Sequence, residues 1–592
     1  MGHRFLDLLG QRHIAWVAAG LMLMLSLPAL WAGFVGDDHY HRAMLLGAGE
    51  VGEVYNPLTD LFEFVPEGSG ADRLRDAGVI PWWSHPELEL GFLRPVTALT
   101  HMLDYALWPH VPALQHTQSM LWFGLGVVLV GIFYRQVHGA TAVSGLAVLL
   151  FAVEDAHSMP IGWLANRNAS IALVFGVLAL LAHIRWRERG SAMWMAAAVT
   201  ALACGLLAGE NALGVVAYIA AWQIVMDRST WLRRLAALLP YAALVVGWRL
   251  LYDGLGYGCT GSGLYIDPGR QPLVFAGALI ERWPVLLASL WSQLNADGWT
   301  MLRTPGHRVV LAIAAAICVV VAALLARLVR SRPQARFWAL GMALALVPMA
   351  AAFPMNRLLL FGGIGAFGLM AMLVDDLGLL GDEAADGRRW SSFMAKGLLV
   401  LHLPVAAILL SSWLALLPEF NLVFEAGSRA APRDPALAEQ SLIFANGQDL
   451  PCSYTLLIRQ LDDDAPAPLR VVQLAPMATA AMVARVDDST LLIETEDGWL
   501  DYPFDRLMRG IDTPFEVGEL IESSIFSVEV IDITGDGRPL SAVFSFREAL
   551  ESESHRWLWW RDGRLVDFEL PPVGGRVELR PESLLFAAAN VR

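Results

Sequence analysis

Along residues 1–418 the apolar positions gather into runs near 14–34, 113–134, 141–156, 168–184, 192–208, 211–226, 235–252, 308–329, 337–353, 357–374 and 397–417. A helix needs roughly 20 consecutive apolar residues to cross the hydrocarbon of a bilayer, so this pattern predicts about 11 transmembrane helices. A further run, 273–294, carries Glu281 and Arg282 at its middle. Charges at the midplane of a lipid layer are costly, and this run is therefore expected to be an interfacial or re-entrant helix. After Pro418 the period changes. "STLLIETEDG", "SIFSVEVIDITGDGRPLSAVFSF", "HRWLWWRDGRLVDFELP" and "GRVELRP" alternate apolar and polar residues and break at Gly–Asp pairs, the signature of half-buried strands. The chain thus reads as a polytopic α-helical membrane domain, 1–418, followed by a small β-rich soluble domain, 419–592.

Within the tail, "DITGDG" (532–537) suits a calcium loop or a hairpin turn joining 525–533 to 540–546. The alternation on both sides favours the turn. Trp557, Trp559 and Trp560 suit sugar stacking, and the same alternation sends at least one of them into a core.

Composition agrees with the pattern. The chain is 56% hydrophobic and 17% charged, where a soluble protein carries roughly 25% charged residues. The net charge of −15 resides almost wholly in the tail, where residues 420–592 hold 29 acids against 15 arginines. No basic stripe exists, which sets the chain apart from nucleic-acid binders. The four cysteines, Cys204, Cys259, Cys318 and Cys452, show no zinc-site spacing.

Cationic turns orient the helices. With Arg4 and Arg12 inside, Arg135, the "RWRERG" turn, the "DRSTWLRR" turn and "ARLVRSRPQAR" all fall inside as well, provided 273–294 does not span. A cleavable signal peptide also fits the first run, but the ten later spans favour an uncleaved helix. The expectation is a bacterial cytoplasmic membrane protein with its N terminus cytoplasmic and its C-terminal domain extracytoplasmic. The outer face then collects a long first loop (36–112), the turn 154–168, Glu210 and Asn211, the Gly-rich loop 253–270 and "FPMNR" (353–357).

Candidate chemistry lies on that face. Asp37 and Asp38 follow the first span directly. A carboxylate pair there suits general base work or metal binding, and suits a solvated helix end equally. Arg94 and Arg357 each open an apolar stretch where an anionic lipid head group would lie, or they snorkel without a specific role. His157 and Arg167, in a tight turn between spans, suit an anion, a sugar or the turn's own carbonyls. Glu210 reads first as a boundary residue. No ionisable residue stands out deep within a span, and no inverted repeat is visible, which disfavours a transporter.

Four segments taken in order resemble a known superfamily. "FVGDD" (34–38) looks like the acidic motif of GT-C membrane glycosyltransferases. "FLRPVTALTHMLDYALW" (92–108), "LLFAVEDAHSMPIGWLANRNASIALVFGVLALLAH" (149–183) and "MNRLLLFGGIGAFGLMAML" (355–373) are similar to segments of its protein O-mannosyltransferase-like branch, the type with tetratricopeptide tails. The resemblance implies a GT-C-like fold and a membrane-bound, inverting glycosyltransferase. It implies a polyprenyl-phosphate-linked sugar as donor and a protein, lipid or glycan acceptor. It also implies catalytic roles for Asp37 and Asp38. Arg357, Arg94 and Arg167 would face the donor phosphate, with His157, Glu154, Asp155 and Glu210 on the substrate side. The superfamily includes members with and without a divalent cation, so the metal question stays open. The sequence departs from the branch where Glu154 and Asp155 replace its histidine and proline, where Met159 replaces a later acid, and in lacking the repeats. Those departures leave an alternative, a catalytically inactive GT-C-like scaffold or glycan-export partner.

Overall fold

The structure is a computed structural model and describes residues 8–49, 56–68, 70–380 and 389–582. Arg4, used above to orient the chain, lies outside the described residues. The chain forms two compact units. Met1–Gly33, Leu93–Leu255 and Pro268–Leu417 make a helical unit, and Phe34–Phe92, Gly256–Asp267 and Pro418–Arg592 make a unit that carries the sheets.

In the helical unit and at its C-terminal end, nine helices among the described residues are long and apolar enough to cross a membrane. They are Ile14–Trp31, Pro112–His138, Leu164–Arg189, Trp231–Gly254, Pro272–Ser292, Pro305–Ser331, Pro333–Ala351, Asn356–Asp376 and Arg389–Ala430. Four of these begin on proline, whose fixed φ and missing N–H suit a first helical turn. The run expected at 141–156 is a bent pair, Ala142–Val153 and Asp155–Gly162, turning by 51° at Glu154. The runs at 192–208 and 211–226 are shorter apolar helices, Ala192–Leu206 and Glu210–Met226. The protein is a polytopic helical membrane protein.

The run 273–294 forms one helix, Pro272–Ser292, 21 residues long and apolar. The charges that argued against a span are accommodated separately. Arg282 is buried and donates to the Ala350 carbonyl at 3.1 Å, a carbonyl in the short turn Pro348–Ala351 that ends the neighbouring helix. Backbone carbonyls released at such an end can solvate a cation where water cannot. Glu281, one residue earlier, lies on the exposed side.

Helix Leu360–Asp376 is buried along almost its whole length, and its glycines allow this. A Cβ on Gly365 would meet the Trp338 carbonyl at 2.6 Å, and one on Gly368 would meet the Trp338 ring at 2.9 Å. Small residues at these positions let helices approach closely where no hydrophobic drive exists between them. Two buried phenols then bind carbonyls of this helix, Tyr134 to Ile364 at 2.6 Å and Tyr218 to Phe361 at 2.7 Å. The helix that follows Arg357 is therefore fixed at several points.

Among the described residues the second unit contains three sheets. β1 (Glu63–Val65), β2 (Glu89–Gly91) and β3 (Gly258–Thr260) pair antiparallel in that order, so the Gly-rich loop supplies a strand to the segment that follows the first span. β4 (Ser441–Gly447) and β5 (Arg470–Pro476) are parallel, joined through helix Asp449–Gln460. β6 (Ala481–Arg485), β7 (Thr490–Thr495), β8 (Leu520–Glu522), β9 (Phe526–Ile533) and β10 (Pro539–Phe546) are followed by β11 (His555–Arg561), β12 (Arg564–Asp567) and β13 (Arg576–Leu579). The sheet orders are β12-β11-β4-β5 and β13-β6-β7-β10-β9-β8. Both sheets contribute to one core around Trp82, Trp83, Leu474, Trp499, Phe544 and Trp557. The "DITGDG" stretch is the hairpin turn between β9 and β10, with Asp536 spent on Thr534 and Arg538. Trp557 and Trp560 are buried. The connecting helix Asp449–Gln460 was not anticipated. Its Arg459 donates to the carbonyls of Ser428 and Ala431, closing the last turn of helix Ala406–Ala430.

Candidate functional site

The two aspartates that follow the first span sit in the second unit, in the first turn of helix Asp37–Leu46. Gly36 precedes them with φ +52°, a backbone region that only glycine enters freely, and Phe424 fills the space beside it. Negative charge in a first turn is favoured by the helix dipole. The acids then diverge. Asp38 is buried, and its Oδ2 accepts the Val35 N–H at 2.9 Å. Asp37 is half-buried, and its Oδ1 accepts the Tyr454 hydroxyl at 2.6 Å. Burial and the Asp37 charge hold the Tyr454 phenol far above its ordinary range, so it remains a donor. His39 lies 3.4 Å from Asn421 Oδ1 and 4.0 Å from Glu425. Burial pushes its imidazole down to about 4, and the Arg42 charge adds to this. Arg42 stacks over Phe34, 4.2 Å from the ring centroid.

The other candidates belong to the helical unit. Glu154 ends helix Ala142–Val153 in an extended conformation. Its Oε2 pairs with His402 Nδ1 at 2.9 Å, and its Oε1 accepts Gln293 Nε2 at 3.0 Å. Three backbone irregularities converge on this carboxylate. One is the helix break itself, the second is Gln293 at φ 57°, and the third is a π-helical turn, Leu401–Val405, that holds Pro404. Such departures are frequent at functional sites. His402 is fully buried within a helix of spanning length, which corrects the expectation that no ionisable group lies deep in a span. Asp155 and His157 follow in a buried turn. The His157 ring lies 4.6 Å from Phe151 and 5.1 Å from Phe123.

The three arginines differ in kind. Arg357 lies in the turn Asn356–Leu359, which packs against the Asp155–His157 turn. Its guanidinium stacks on Trp163, 5.2 Å from the ring centroid, with Phe353 at 6.0 Å. The neighbouring segment is pinned by the Ala296 N–H to Asn356 Oδ1 at 3.0 Å and by Thr300 to the Pro354 carbonyl at 2.8 Å. Asp297 on that segment feels the Arg357 charge. Burial pushes the Asp297 carboxyl up to about 6, while the Asn356 amide and Arg357 pull it back. Arg94 binds Glu210 Oε2 through Nε at 2.9 Å and Nη2 at 2.7 Å. Arg167 is fully buried, paired with buried Asp104 at 2.6 Å. It also donates to Ser119 at 2.8 Å, to the Gln115 carbonyl at 2.9 Å and to Gln118. Arg167 thereby ties helix Pro95–Leu107 and helix Pro112–His138 to its own helix, an arrangement that braces the unit and leaves the guanidinium no face toward solvent.

The fold thus groups Glu154, Asp155, His157 and Arg357 through adjoining turns, and pairs Arg94 with Glu210. Sequence reasoning missed His402, Gln293, Asp297 and Tyr454. A histidine within an apolar run was a readable signal for His402; nothing local announced the others. Among the described residues no group of three or more His, Cys, Asp or Glu side chains is arranged to hold a metal ion.

No family model and no curated protein matches this chain. Its fold is similar to an Archaeoglobus fulgidus oligosaccharyltransferase tethered with an acceptor peptide, with a TM-score of 0.41 and 12% identity over 78% of this chain. The chain spans 64% of that protein's length. It is also similar to ArnT from Cupriavidus metallidurans bound to undecaprenyl phosphate, with a TM-score of 0.37 and 15% identity over 77% of this chain and 90% of ArnT. The apo state of that ArnT has a TM-score of 0.36 and 14% identity, covering 75% of this chain and 85% of that one.

Proposed function

We propose that this chain is a GT-C-type membrane glycosyltransferase that moves a sugar from a polyprenyl-phosphate donor to a protein, lipid or glycan acceptor. The transfer takes place at the outer face of a bacterial cytoplasmic membrane. One observation carries the reading. Two of the segments that bear the resemblance, 149–183 and 355–373, meet where Arg357 stacks on Trp163 beside the Glu154–His157 turn.

In this reading Asp37 takes the proton of the acceptor hydroxyl, and the oxygen attacks the anomeric carbon on the face opposite the phosphate. The bond from that carbon to the phosphate oxygen breaks with its electron pair, and the sugar inverts. Polyprenyl phosphate departs as an anion that Arg357 stabilises, a charge-assisted contact aimed where charge develops. Asp38, tied to the Val35 amide, fixes the helix start that carries Asp37. Glu154, held by His402 and Gln293, orients the turn that carries Asp155 and His157. Arg94 with Glu210, and Arg167 with Asp104, act as framework pairs.

A second reading, a non-catalytic scaffold or glycan-export partner, is favoured by the engagement of both aspartates within the unit, Asp37 with Tyr454 and Asp38 with Val35. Mass-spectrometric comparison of surface glycoconjugates separates the two. The enzyme reading expects a glycoconjugate to disappear from cells carrying Asp37→Asn at normal protein level. A full set of products in that variant, with loss only on deletion of the chain, supports the scaffold instead.

A further inference from the structure

In the helical unit, the connector between helix Pro272–Ser292 and helix Thr304–Ser331 is seated on the turn that carries Arg357. Gln293 opens it with the bond to Glu154 at 3.0 Å. Ala296 donates its N–H to Asn356 Oδ1 at 3.0 Å, and Thr300 donates its hydroxyl to the Pro354 carbonyl at 2.8 Å. Asn295 caps the short helix Ala296–Thr300 by accepting the Asp297 N–H at 2.8 Å. Trp299 stacks on His307 with 4.4 Å between ring centroids. Asp297, next to Ala296, is thereby held against the Asn356 amide and within the field of Arg357.

Cation and anion therefore share this turn. Arg357 and Asp297 are both half-buried. Asp297 Oδ1 is buried and accepts no hydrogen bond among the described residues. The Asp297 carboxyl titrates near about 6, so at pH 8 it is an anion beside the guanidinium. Glu154, in the adjoining region, is engaged by His402 and Gln293. The transfer proposed above changes the charge of its phosphate. Its donor is a phosphodiester with a single negative charge. When the bond from the anomeric carbon breaks, the electron pair stays on the phosphate oxygen and leaves a monoester whose second pKa is about 6. At pH 8 the spent carrier is therefore mainly a dianion.

We propose that Asp297 is a specificity-determining residue of this site, which sets Arg357 to hold a singly charged polyprenyl phosphodiester and to release the doubly charged monoester. The inference rests on the reading that Arg357 faces the donor phosphate. An arginine alone attracts a dianion more strongly than a monoanion. A carboxylate in the same field cancels that gain, because its repulsion grows with each charge on the ligand. Placing a like charge against the unwanted ligand is a general route to specificity. Here the unwanted ligand is the product of the same reaction, and Asp297 favours its departure.

Tryptophan-fluorescence titration of the full chain in detergent at pH 8 tests it, with farnesyl phosphate as the monoester and its methyl ester as the diester. Asp297→Asn keeps the size of the side chain and an acceptor for the Asn356 amide. It is expected to tighten the diester by about threefold and the monoester, which meets the same field twice, by about tenfold. Asp297→Glu keeps the charge and should leave the ratio of the two dissociation constants within about twofold of that of the unmodified protein. Arg357→Ala should weaken both ligands. Thermal unfolding checks the variants. If Asp297→Asn unfolds, the unmodified protein decides: the monoester is expected to bind no tighter than the diester, and a monoester bound about tenfold tighter overturns the proposal. Equal tightening of both ligands by Asp297→Asn, or none, while Arg357→Ala weakens both, overturns the proposal and leaves the donor reading standing. Binding indifferent to Arg357→Ala, or no saturable binding of either ligand, overturns both.

Discussion

Tyr454 donates its hydroxyl to Asp37 at 2.6 Å across 417 residues of sequence, joining the helix that follows the first span to the helix between β4 and β5. A phenol that stays protonated and points at a carboxylate steadies that carboxylate through a charge-assisted hydrogen bond. Tyr454→Phe removes a hydrogen bond to a charged group and is expected to cost about 1.5–3 kcal/mol. Asp37→Asn keeps an acceptor for the same hydroxyl and is expected to cost less. Thermal unfolding of the two variants, followed by tryptophan fluorescence, checks the order.

Arg167 and Arg357 are expected to separate cleanly. Arg167→Ala leaves Asp104 buried without its cation and should destabilise the helical unit by about 3–5 kcal/mol. Replacing both members, as Arg167→Met with Asp104→Leu, should restore much of that loss. Arg357→Ala should leave the melting temperature nearly unchanged and, on the proposed function, reduce retention of an added polyprenyl phosphate measured by native mass spectrometry. The reverse pattern, in which Arg167 controls lipid retention and Arg357 controls stability, would exchange their roles.

Two groups in the second unit set opposing pH dependences. His39 is held near 4, below the ordinary value of 6.5, by burial and then by Arg42. Its folded form resists protonation, so its contribution is full above pH 6.5 and falls by up to about 3 kcal/mol as pH drops toward 4. Glu63 is raised to about 7, by burial first and then by Asp60 and Glu89. Its contribution is full below the ordinary carboxyl range and declines as pH rises through about 7. Glu63→Gln should therefore raise the melting temperature more at pH 8 than at pH 5. Melting curves of the parent and variant at both pH values decide this, and an equal shift at both contradicts the assignment.

Much of the architecture was legible because it depends on local pattern. The apolar runs became helices, since a lipid-exposed backbone must satisfy its own hydrogen bonds. The alternation on either side of "DITGDG" became β9 and β10, because a period of two faces every second residue to a core. What escaped depends on long-range partners. The Glu281–Arg282 pair stood out in an apolar run, but the carbonyl that receives Arg282 lies 68 residues away. Asp37 and Asp38 looked alike in sequence, and only Tyr454 and the Val35 amide distinguish them. Arg167 matched a family position, but the burial of Asp104 that occupies it follows from how three helices pack. His402 was visible as a histidine in an apolar run, but its pairing with Glu154 is a contact across 248 residues.

The central claim is that Asp37 supports transfer of a sugar from a polyprenyl-phosphate carrier. The most direct measurement incubates the purified chain in lipid nanodiscs with radiolabelled polyprenyl-phosphate sugars and an extract of the host's surface glycans and proteins. Transfer of label out of the lipid fraction is then followed for the unmodified protein and for Asp37→Asn and Asp38→Asn. The account predicts transfer by the unmodified protein, loss of at least about two orders of magnitude in Asp37→Asn, and a smaller loss in Asp38→Asn. Undiminished transfer by a folded Asp37→Asn protein would contradict it.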